Sequence, residues 1–233
     1  MKENAQINIG SYDNVIPGFV NYDLSPNLLL SHVYPLVEAL SKVGLVDARR
    51  LETIQSFRAV KDHMKWGRII DRVPHPTGSL DVVYASHFLE HIDREDALNL
   101  LKDIHRALRS GGVVRIVVPD LEHLTREYVT ALAEDESNDP PANYYLKRLE
   151  VIDNAHYRRP MMRLRTALLV AFGLHGMRHR WMWDWRSMRA AMIEAGFNSP
   201  RRCQNAGSSV PSLRQAETAT PMGEHSLYVE AVR

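Results

Sequence analysis

The chain has 233 residues, of which 45% are hydrophobic and 24% are charged, a composition typical of a globular domain with a substantial core. Its single cysteine, Cys203, excludes an internal disulfide and a metal site built from several cysteines. The net charge is only +1, and the sequence shows neither a signal peptide nor an apolar run of membrane-spanning length, so we expect a cytoplasmic protein.

Two short strands and a helix are predicted near the beginning of the chain. Residues 6–10 alternate between polar and apolar side chains, and residues 19–24 form a similar run. Apolar residues at helical spacing predict one helix over residues 28–46. The next region is ambiguous, and we expect a third strand near either residues 54–57 or residues 68–73.

The most regular stretch is residues 79–121, where two apolar runs flank an amphipathic segment. Residues 80–85 and 113–118 are rich in β-branched side chains and predict buried strands. Between them, a helix is predicted to begin after Asp93 and to end near Gly111, whose backbone suits a left-handed stop. A strand, a helix and a strand with short links form a right-handed unit of a parallel sheet. Ligands bind such sheets beyond the carboxyl ends of the strands.

The rest of the chain is predicted to hold further helices and loops before a last strand. Prolines and polar residues mark a boundary at residues 134–141, and a helix over residues 187–195 is predicted to end at Gly196. Residues 207–223 are rich in Ser, Thr and Pro and predict a loop, whereas residues 226–232 alternate as a strand. We therefore expect a core, an inserted helical segment and a return to the core, at residues 1–140, 141–186 and 187–233.

Several of these segments together resemble a known family. They are, in order, Ile-Asn-Ile-Gly, Phe-Val-Asn-Tyr-Asp, Leu-Asp-Val-Val-Tyr-Ala-Ser-His-Phe-Leu-Glu-His, Arg-Ser-Gly-Gly-Val-Val-Arg-Ile-Val-Val-Pro-Asp-Leu, Ala-Gly-Phe and Leu-Tyr-Val-Glu-Ala. This order resembles the class I S-adenosylmethionine-dependent methyltransferases, especially small ones tied to cell-surface polysaccharide pathways. The resemblance covers about residues 5–130 and 180–233. It implies an α/β, Rossmann-like fold with a mostly parallel sheet, an antiparallel last strand and a helical insertion, and it implies S-adenosylmethionine as the cofactor.

The resemblance also implies cofactor-binding roles for individual residues. Gly10 matches a glycine whose missing side chain lets the backbone approach the methionine part of the cofactor, whereas Tyr12 replaces the family's second glycine. Tyr12 either packs within the protein or contacts the cofactor. Asp23 matches the acid that accepts hydrogen bonds from the ribose, and Ala85 and Ser86 match the strand end beside the cofactor. S-adenosylmethionine has no phosphate, so the short link after Gly10 favours it over a dinucleotide.

Candidate catalytic residues follow the two central strands. Methyl transfer to an alcohol requires loss of a proton, which His87, His91 or Asp120 can accept, although Asp120 also suits the N-cap of the next helix. With Glu90, the two histidines spell His-x-x-Glu-His, which in inverted zinc peptidases presents both histidines on one helix face. The predicted strand ends just before His87, and the predicted helix begins only after Asp93. This arrangement argues against both histidines lying on one helix. We therefore expect no metal; the histidines either cap the turn or face the substrate.

A basic and aromatic segment follows the first part of the predicted core. Residues 151–202 carry 10 Arg against 3 acids, whereas residues 1–150 carry 17 Lys+Arg against 22 Asp+Glu. This segment is either a solvated face with its tryptophans in the core, or a lid over an anionic acceptor, because Arg suits phosphate and aromatic rings suit sugars. Residues 158–180 also fit a peripheral contact with an anionic membrane surface, and we expect no nucleic-acid partner.

Three functional hypotheses follow. The first is a methyltransferase that acts on a small polar acceptor, such as a sugar, a nucleotide sugar or a glycan. The second is a non-catalytic member of the same family, in which Tyr12 has degraded the cofactor motif and the protein serves as a binding or scaffolding subunit. The third is a zinc hydrolase that uses His87, Glu90 and His91.

Overall fold

The computed structural model describes residues 5–133, 141–149, 178–219 and 225–233. Its strands are β1 (Gln6–Ile9), β2 (Val20–Asp23), β3 (Met64–Trp66), β4 (Leu80–Ser86), β5 (Leu108–Pro119), β6 (Asn198–Cys203) and β7 (Ser226–Val232). Its helices are α1 (Pro26–Ser31), α2 (Tyr34–Lys42), α3 (Ala48–Val60), α4 (Arg94–Ala107), α5 (Leu121–Ala133), α6 (Pro141–Arg148), α7 (Trp185–Glu194) and α8 (Pro211–Ala219).

The strands form one mixed sheet in the order β3-β2-β1-β4-β5-β7-β6. The strands from β1 to β5 pair in parallel, whereas β7 is antiparallel to both of its neighbours. This arrangement confirms the predicted α/β, Rossmann-like fold with a mostly parallel sheet and an antiparallel last strand. The strand order reverses direction between β1 and β4, and in open α/β sheets that point is where ligands bind.

The main core lies on the face of the sheet that α4 and α7 cover. Helical residues such as Leu101, Ile104 and Met188 are fully buried there against Val83 and Ile116 of the sheet. Because side chains alternate along a strand, the intervening residues point to the opposite face. Each of these buried side chains contributes about 1.5–3 kcal/mol of transfer free energy, so this face supplies most of the stability.

The opposite face carries a smaller apolar cluster and a buried ion pair. Leu213 of α8 packs there with Tyr84, Val117 and Tyr228. Arg115 of β5 is also buried on this face, and its guanidinium donates two hydrogen bonds of 2.8 and 2.7 Å to the carboxylate of Glu217 in α8. The attachment of α8 is therefore partly ionic. The predicted loop over residues 207–223 is wrong for residues 211–219, because Leu213 and Glu217 lie four apart and bury one face of a helix.

Two other predictions about the first half of the chain are wrong. The predicted helix over residues 28–46 is broken into α1 and α2, since Pro35 near the start of α2 has no N–H for the carbonyl of Ser31 and its ring would clash with that carbonyl in a continuous helix. The third strand lies at neither expected place. Ile54 and Phe57, three residues apart, are buried on one face of α3, and the strand is the short, largely exposed Met64–Trp66. Three half-exposed residues carry no periodic signal.

The helix predicted between the two central strands ends earlier than expected. α4 begins after Asp93 as predicted, but it ends at Ala107, and β5 starts at the next residue. Gly111 has a left-handed φ of 76°, yet it lies within β5, where the pairing with β4 shifts register. The positive φ of Gly111 therefore allows an irregularity within β5 and does not end a helix. The helix that ends before Gly196 is confirmed, with Gly196 at a φ of 101°.

The proposed division of the chain is described only in part. Within the expected insertion at residues 141–186, α6 packs on α5 through the rings of Tyr128 and Tyr145, whose centroids are 4.8 Å apart. Most of residues 158–180, including the predicted membrane-contacting run, lie outside the described residues. Within the described ranges, no helix combines the length and the apolar character needed to cross a membrane.

Candidate active site

Three parallel strands bring their carboxyl ends to one edge of the sheet. Ile9 at the end of β1 is paired with Tyr22 of β2 and with Ala85 of β4. The residues that follow these strands therefore lie side by side, as the sequence predicted for Gly10 and Asp23. Gly10 turns the chain sharply after β1 with a φ of 67°, and its N–H donates to the carbonyl of Tyr22 at 2.9 Å.

The carboxylate of Asp23 organises the loops at this edge. One of its oxygens accepts a hydrogen bond from the N–H of Tyr12 at 2.7 Å, and the other accepts from the N–H of Ser25 at 2.6 Å. Burial raises the pKa of Asp23, although these two hydrogen bonds act in the opposite direction. Each carboxylate oxygen has a second lone pair, so Asp23 can still accept hydrogen bonds from a ligand.

A cleft runs between the ends of β1 and β2 and the turn after β4. It encloses about 240 Å³, including its open mouth, and it is lined by Ile9, Gly10, Tyr22, Asp23, Leu24, Gly67, Ile69, Ile70 and Phe88. Two of the predicted cofactor-binding residues, Gly10 and Asp23, are therefore in its wall. Its other walls are largely apolar, which is typical of small-molecule sites. Phe88 was not a sequence candidate; it occupies the end of the cleft beside Gly10.

The other three predicted cofactor-binding residues do not line this cleft. The ring of Tyr12 packs edge-on against Phe57, with centroids 4.8 Å apart, and burial raises its pKa. Ala85 and Ser86 are buried within β4, where they pair with Ile116 and Val117 of β5. The packing alternative for Tyr12 is thus the one that the contacts favour, and roles for Ala85 and Ser86 in cofactor binding stay predictions.

The turn after β4 holds a histidine against a buried carboxylate. His87 has a left-handed φ of 49°, and its N–H donates to the carbonyl of Val117 at 2.8 Å. Its Nδ1 lies 3.2 Å from Oε1 of Glu90, and its Nε2 lies 3.2 Å from the hydroxyl of Ser226. Glu90 is completely buried. Sequence reasoning noted Glu90 in the His-x-x-Glu-His spacing but did not choose it as a site residue.

The segment that precedes α7 packs on the same turn. The N–H groups of Arg180 and Trp181 both donate to the carbonyl of Glu90, at 2.7 and 3.3 Å. His91 accordingly lies beside His179, with ring centroids 5.1 Å apart. Burial lowers the pKa of His179 to about 4, so its imidazole is neutral at neutral pH. Trp183 is fully buried, as the core alternative for the tryptophans predicted, whereas Trp181 is exposed.

Asp120, the third catalytic candidate, has structural partners. Its Oδ1 accepts a hydrogen bond from the N–H of Glu122 at 3.0 Å, at the start of α5, which is the predicted capping arrangement. Its Oδ2 accepts a hydrogen bond of 2.5 Å from Arg202. The ion pair with Arg202 stabilises this buried carboxylate in its charged form, so Asp120 is less suited than His87 to accept a proton. Its catalytic role stays a prediction.

The geometry of the zinc-peptidase motif is absent from this turn. Residues Leu89–His91 form a single 3₁₀ turn, and α4 begins only at Arg94. His87 therefore lies before the turn rather than one helical step from His91. A motif that needs both histidines on one α-helix face cannot form with this backbone.

Comparison with known proteins assigns the family. A family model described as a methyltransferase domain matches residues 17–199. No curated protein matches the sequence significantly. Similar solved structures include S-adenosylmethionine-dependent methyltransferases from Archaeoglobus fulgidus (12% identity, 100% of this chain and 87% of that chain, TM-score 0.47) and Thermotoga maritima (16%, 100% and 83%, 0.47). Another is a complex between the Haloferax volcanii Trm112 methyltransferase activator and a methyltransferase (13%, 99% and 82%, 0.45).

The family match spans more than half of the chain, and the chain therefore belongs to the methyltransferase-domain family. It is a class I methyltransferase with S-adenosylmethionine as its cofactor, as the sequence resemblance implied. The solved structures are only 12–16% identical to this chain, with TM-scores below 0.5, and the family assignment does not depend on them.

The residues at the cleft fit this cofactor in kind. The carboxylate of Asp23 retains acceptor capacity for ribose hydroxyls, and Ile69 and Ile70 offer an apolar wall to a base. The ring of Phe88 takes up the space next to Gly10, so a full-length cofactor requires this ring to move.

Proposed function

We propose that this methyltransferase transfers its methyl group to a hydroxyl of a small polar acceptor, such as a sugar, a nucleotide sugar or a glycan, and that His87 is the general base. The observation that carries the proposal is the pairing of His87 with the buried Glu90 next to Phe88 of the cleft. The arginines within residues 151–202 support an acceptor with negative charge.

The chemistry follows from the arrangement of these groups. When bound, S-adenosylmethionine supplies a methyl group on a sulfonium sulfur, which leaves as a neutral thioether. A neutral alcohol that gains a methyl group must lose its proton, and an imidazole is suited to accept it near neutral pH. The carboxylate of Glu90, 3.2 Å from Nδ1, is close enough to stabilise the imidazolium that forms. An amine acceptor has less need for such a base.

The remaining candidates have other roles in this proposal. Gly10 and Asp23 bind the cofactor, while His91 and Asp120 help to shape the acceptor side. A lid formed by residues 141–186 over the acceptor, and a membrane contact through residues 158–180, stay predictions. We also propose that residues 1–140 and 187–233 together form the cofactor-binding core.

The experiment is a transfer assay with labelled S-adenosylmethionine and matched hydroxyl and amine acceptors. His87→Asn, which tolerates the left-handed backbone, is expected to lower kcat by about 10²–10⁴-fold, the usual contribution of a general base. His32→Asn, at an exposed histidine between α1 and α2, is the matched control and should change little. An unchanged kcat in His87→Asn, or exclusive transfer to amines, would refute the proposal.

A further inference from the structure

Three side chains from two distant parts of the chain meet beside the turn that follows β4. Glu90, His91 and His179 each place one ligand atom so that all three atoms lie within 4.8 Å of one another. We propose that this cluster, the Glu90 triad, binds a divalent transition-metal ion, and that the ion it prefers is Zn²⁺. This inference does not rest on the acceptor proposed above.

The buried carboxylate of Glu90 is the observation that points to a ligand. The residue is completely buried, and among the described residues neither of its carboxylate oxygens accepts a hydrogen bond. The groups beside it that could carry a positive charge are imidazole rings, those of His87 at 3.2 Å and of the two histidines of the triad, and none of them donates a hydrogen bond to it. An ionised carboxylate is among the most costly groups to bury without compensation. A metal cation in the triad would supply the missing charge.

The backbone fixes the histidines over this carboxylate. The carbonyl of Glu90 accepts two hydrogen bonds from the segment that follows His179, and Arg180 adds an ion pair of 2.6 Å with Asp93. The Nδ1 of His91 lies 3.3 Å from the carbonyl of Arg178. A carbonyl only accepts, so this contact places the proton on Nδ1 and makes the other ring nitrogen of His91 the ligand. Metal-binding histidines usually have such a partner.

The donor set decides which metal is expected. Two imidazoles and one carboxylate match the zinc sites that have three protein ligands and leave the fourth position open. Imidazole also suits Cu, Fe and Ni, whereas Mg²⁺ and Ca²⁺ prefer sites made only of oxygen. His87 would act on the ion indirectly, by orienting the carboxylate of Glu90 through Nδ1. The open position could take a water or an acceptor oxygen.

This site differs from the zinc-hydrolase hypothesis of the sequence. There, Glu90 was the base and His87 was a ligand; here, Glu90 is itself a ligand and the third ligand is His179. No sequence spacing connects His179 with Glu90, since the two residues are far apart in the chain and meet only after folding.

A second cluster of two histidines and one glutamate lies elsewhere in the described residues and serves as a comparison for the Glu90 triad. His123 and Glu127 of α5 lie beside His225. Here, however, Nδ1 of His225 is 2.7 Å from Nε2 of His123, a hydrogen bond, and Oε1 of Glu127 lies 3.4–3.5 Å from both rings. Each member already has a partner and all three are partly exposed. Oε2 of Glu127 has no hydrogen-bond partner either, but this carboxylate is partly exposed and its other oxygen lies near both rings, so the need for a metal is smaller here than at Glu90.

The test uses the full chain without a polyhistidine tag, dialysed against Zn²⁺ and analysed for metal content. The wild-type protein is expected to bind one equivalent, and Co²⁺ in its place should give the visible absorption of a tetrahedral site. Glu90→Gln and His179→Gln should each weaken Zn²⁺ binding by more than about 100-fold, beyond the ~10–100-fold that changes to outer contacts cause. Glu127→Gln should leave the stoichiometry unchanged.

Two outcomes would overturn the proposal: no zinc in the wild-type protein, or loss of zinc in Glu127→Gln rather than in Glu90→Gln. If Glu90→Gln does not fold by circular dichroism, His91→Asn at the half-buried position decides in its place. Calorimetry with S-adenosylhomocysteine on the metal-free protein separates a failed metal site from a failed methyltransferase.

Discussion

The ring of Phe88 lies directly over the α-carbon of Gly10, so close that a Cβ on Gly10 would be 2.4 Å from the ring. Any other residue at position 10 would therefore collide with the ring and would also have to adopt a left-handed φ. Glycine at this position serves the packing of Phe88 as well as the turn after β1. In our proposal, the methionine part of the cofactor approaches the same backbone, so ring and cofactor compete for one place.

This competition predicts the effect of removing the ring. Phe88→Ala is expected to tighten the binding of S-adenosylhomocysteine by about 3- to 10-fold, because moving a partly buried phenylalanine costs about 1 kcal/mol. Calorimetry on the wild-type and variant proteins measures the change. Weaker binding in the variant would instead mean that the ring contacts the bound cofactor.

A substitution of Tyr12 is the control for Phe88→Ala. Its side chain packs on Phe57 rather than in the cleft, so Tyr12→Gly should change the affinity for S-adenosylhomocysteine by less than about twofold. The same titrations provide the measurement. Affinity that appears only in Tyr12→Gly would favour the hypothesis of a family member that has lost its cofactor site.

Asp103 is expected to stabilise the loop behind the cleft in a pH-dependent way. Burial alone raises its pKa, but hydrogen bonds from Arg106 and from the N–H of Val73 outweigh this effect, and the pKa is lowered. A lowered pKa in the folded state means that the stabilisation is complete above about pH 4 and is lost as the pH falls through the lowered value. Asp103→Asn should therefore cost about 1–2 kcal/mol at pH 7, since the site is partly solvated.

Urea unfolding at several pH values checks this expectation. The difference between wild type and Asp103→Asn should shrink as the pH falls below about 4. Asp71→Asn, at an exposed pair with Arg68, is the control and should cost less than about 1 kcal/mol. A difference that does not depend on pH would show that the charge of Asp103 is not the stabilising feature.

Substitutions of the buried pair Arg115 and Glu217 should have non-additive effects on the free energy of unfolding. Each single change, Arg115→Met or Glu217→Leu, leaves an uncompensated buried charge and is expected to cost about 3–5 kcal/mol. The double variant should cost less than the sum, because the nearby Glu230 keeps Arg201, Ser208 and Ser209 as partners. Urea unfolding of all four proteins completes the cycle, and additive costs would contradict it.

The sequence predicted the parts of the fold that have a strong period. β4, most of α4 and β5 follow from apolar runs and helical spacing, and Gly10 and Asp23 follow from a family pattern. β3 was missed because its three residues are mostly exposed, and α8 because composition suggested a loop. β3 forms through its backbone pairing with β2, and α8 through the burial of Leu213 and Glu217 against distant residues.

The site was only partly predictable for the same reason. His87 could be predicted because it directly follows a strand that the local apolar run reveals. The place of Phe88 over Gly10 and the approach of His179 to Glu90 depend on contacts between residues that are distant in the chain. No pattern along the sequence encodes such contacts, although the His-x-x-Glu-His spacing did mark Glu90 as unusual.

The ionic attachment of α8 has a consequence for how the molecule opens. Leu213 and Ala216 are the residues of this helix in the smaller apolar cluster, and polar contacts, among them that of Glu217 with Arg115 and a 2.8 Å hydrogen bond from Ser212 to Gln6, add to its attachment. Local opening favours units with few apolar contacts. α8 should therefore exchange its amide hydrogens well before α4, and its detachment would uncover one side of the sheet while the cleft on the sheet's edge stays assembled.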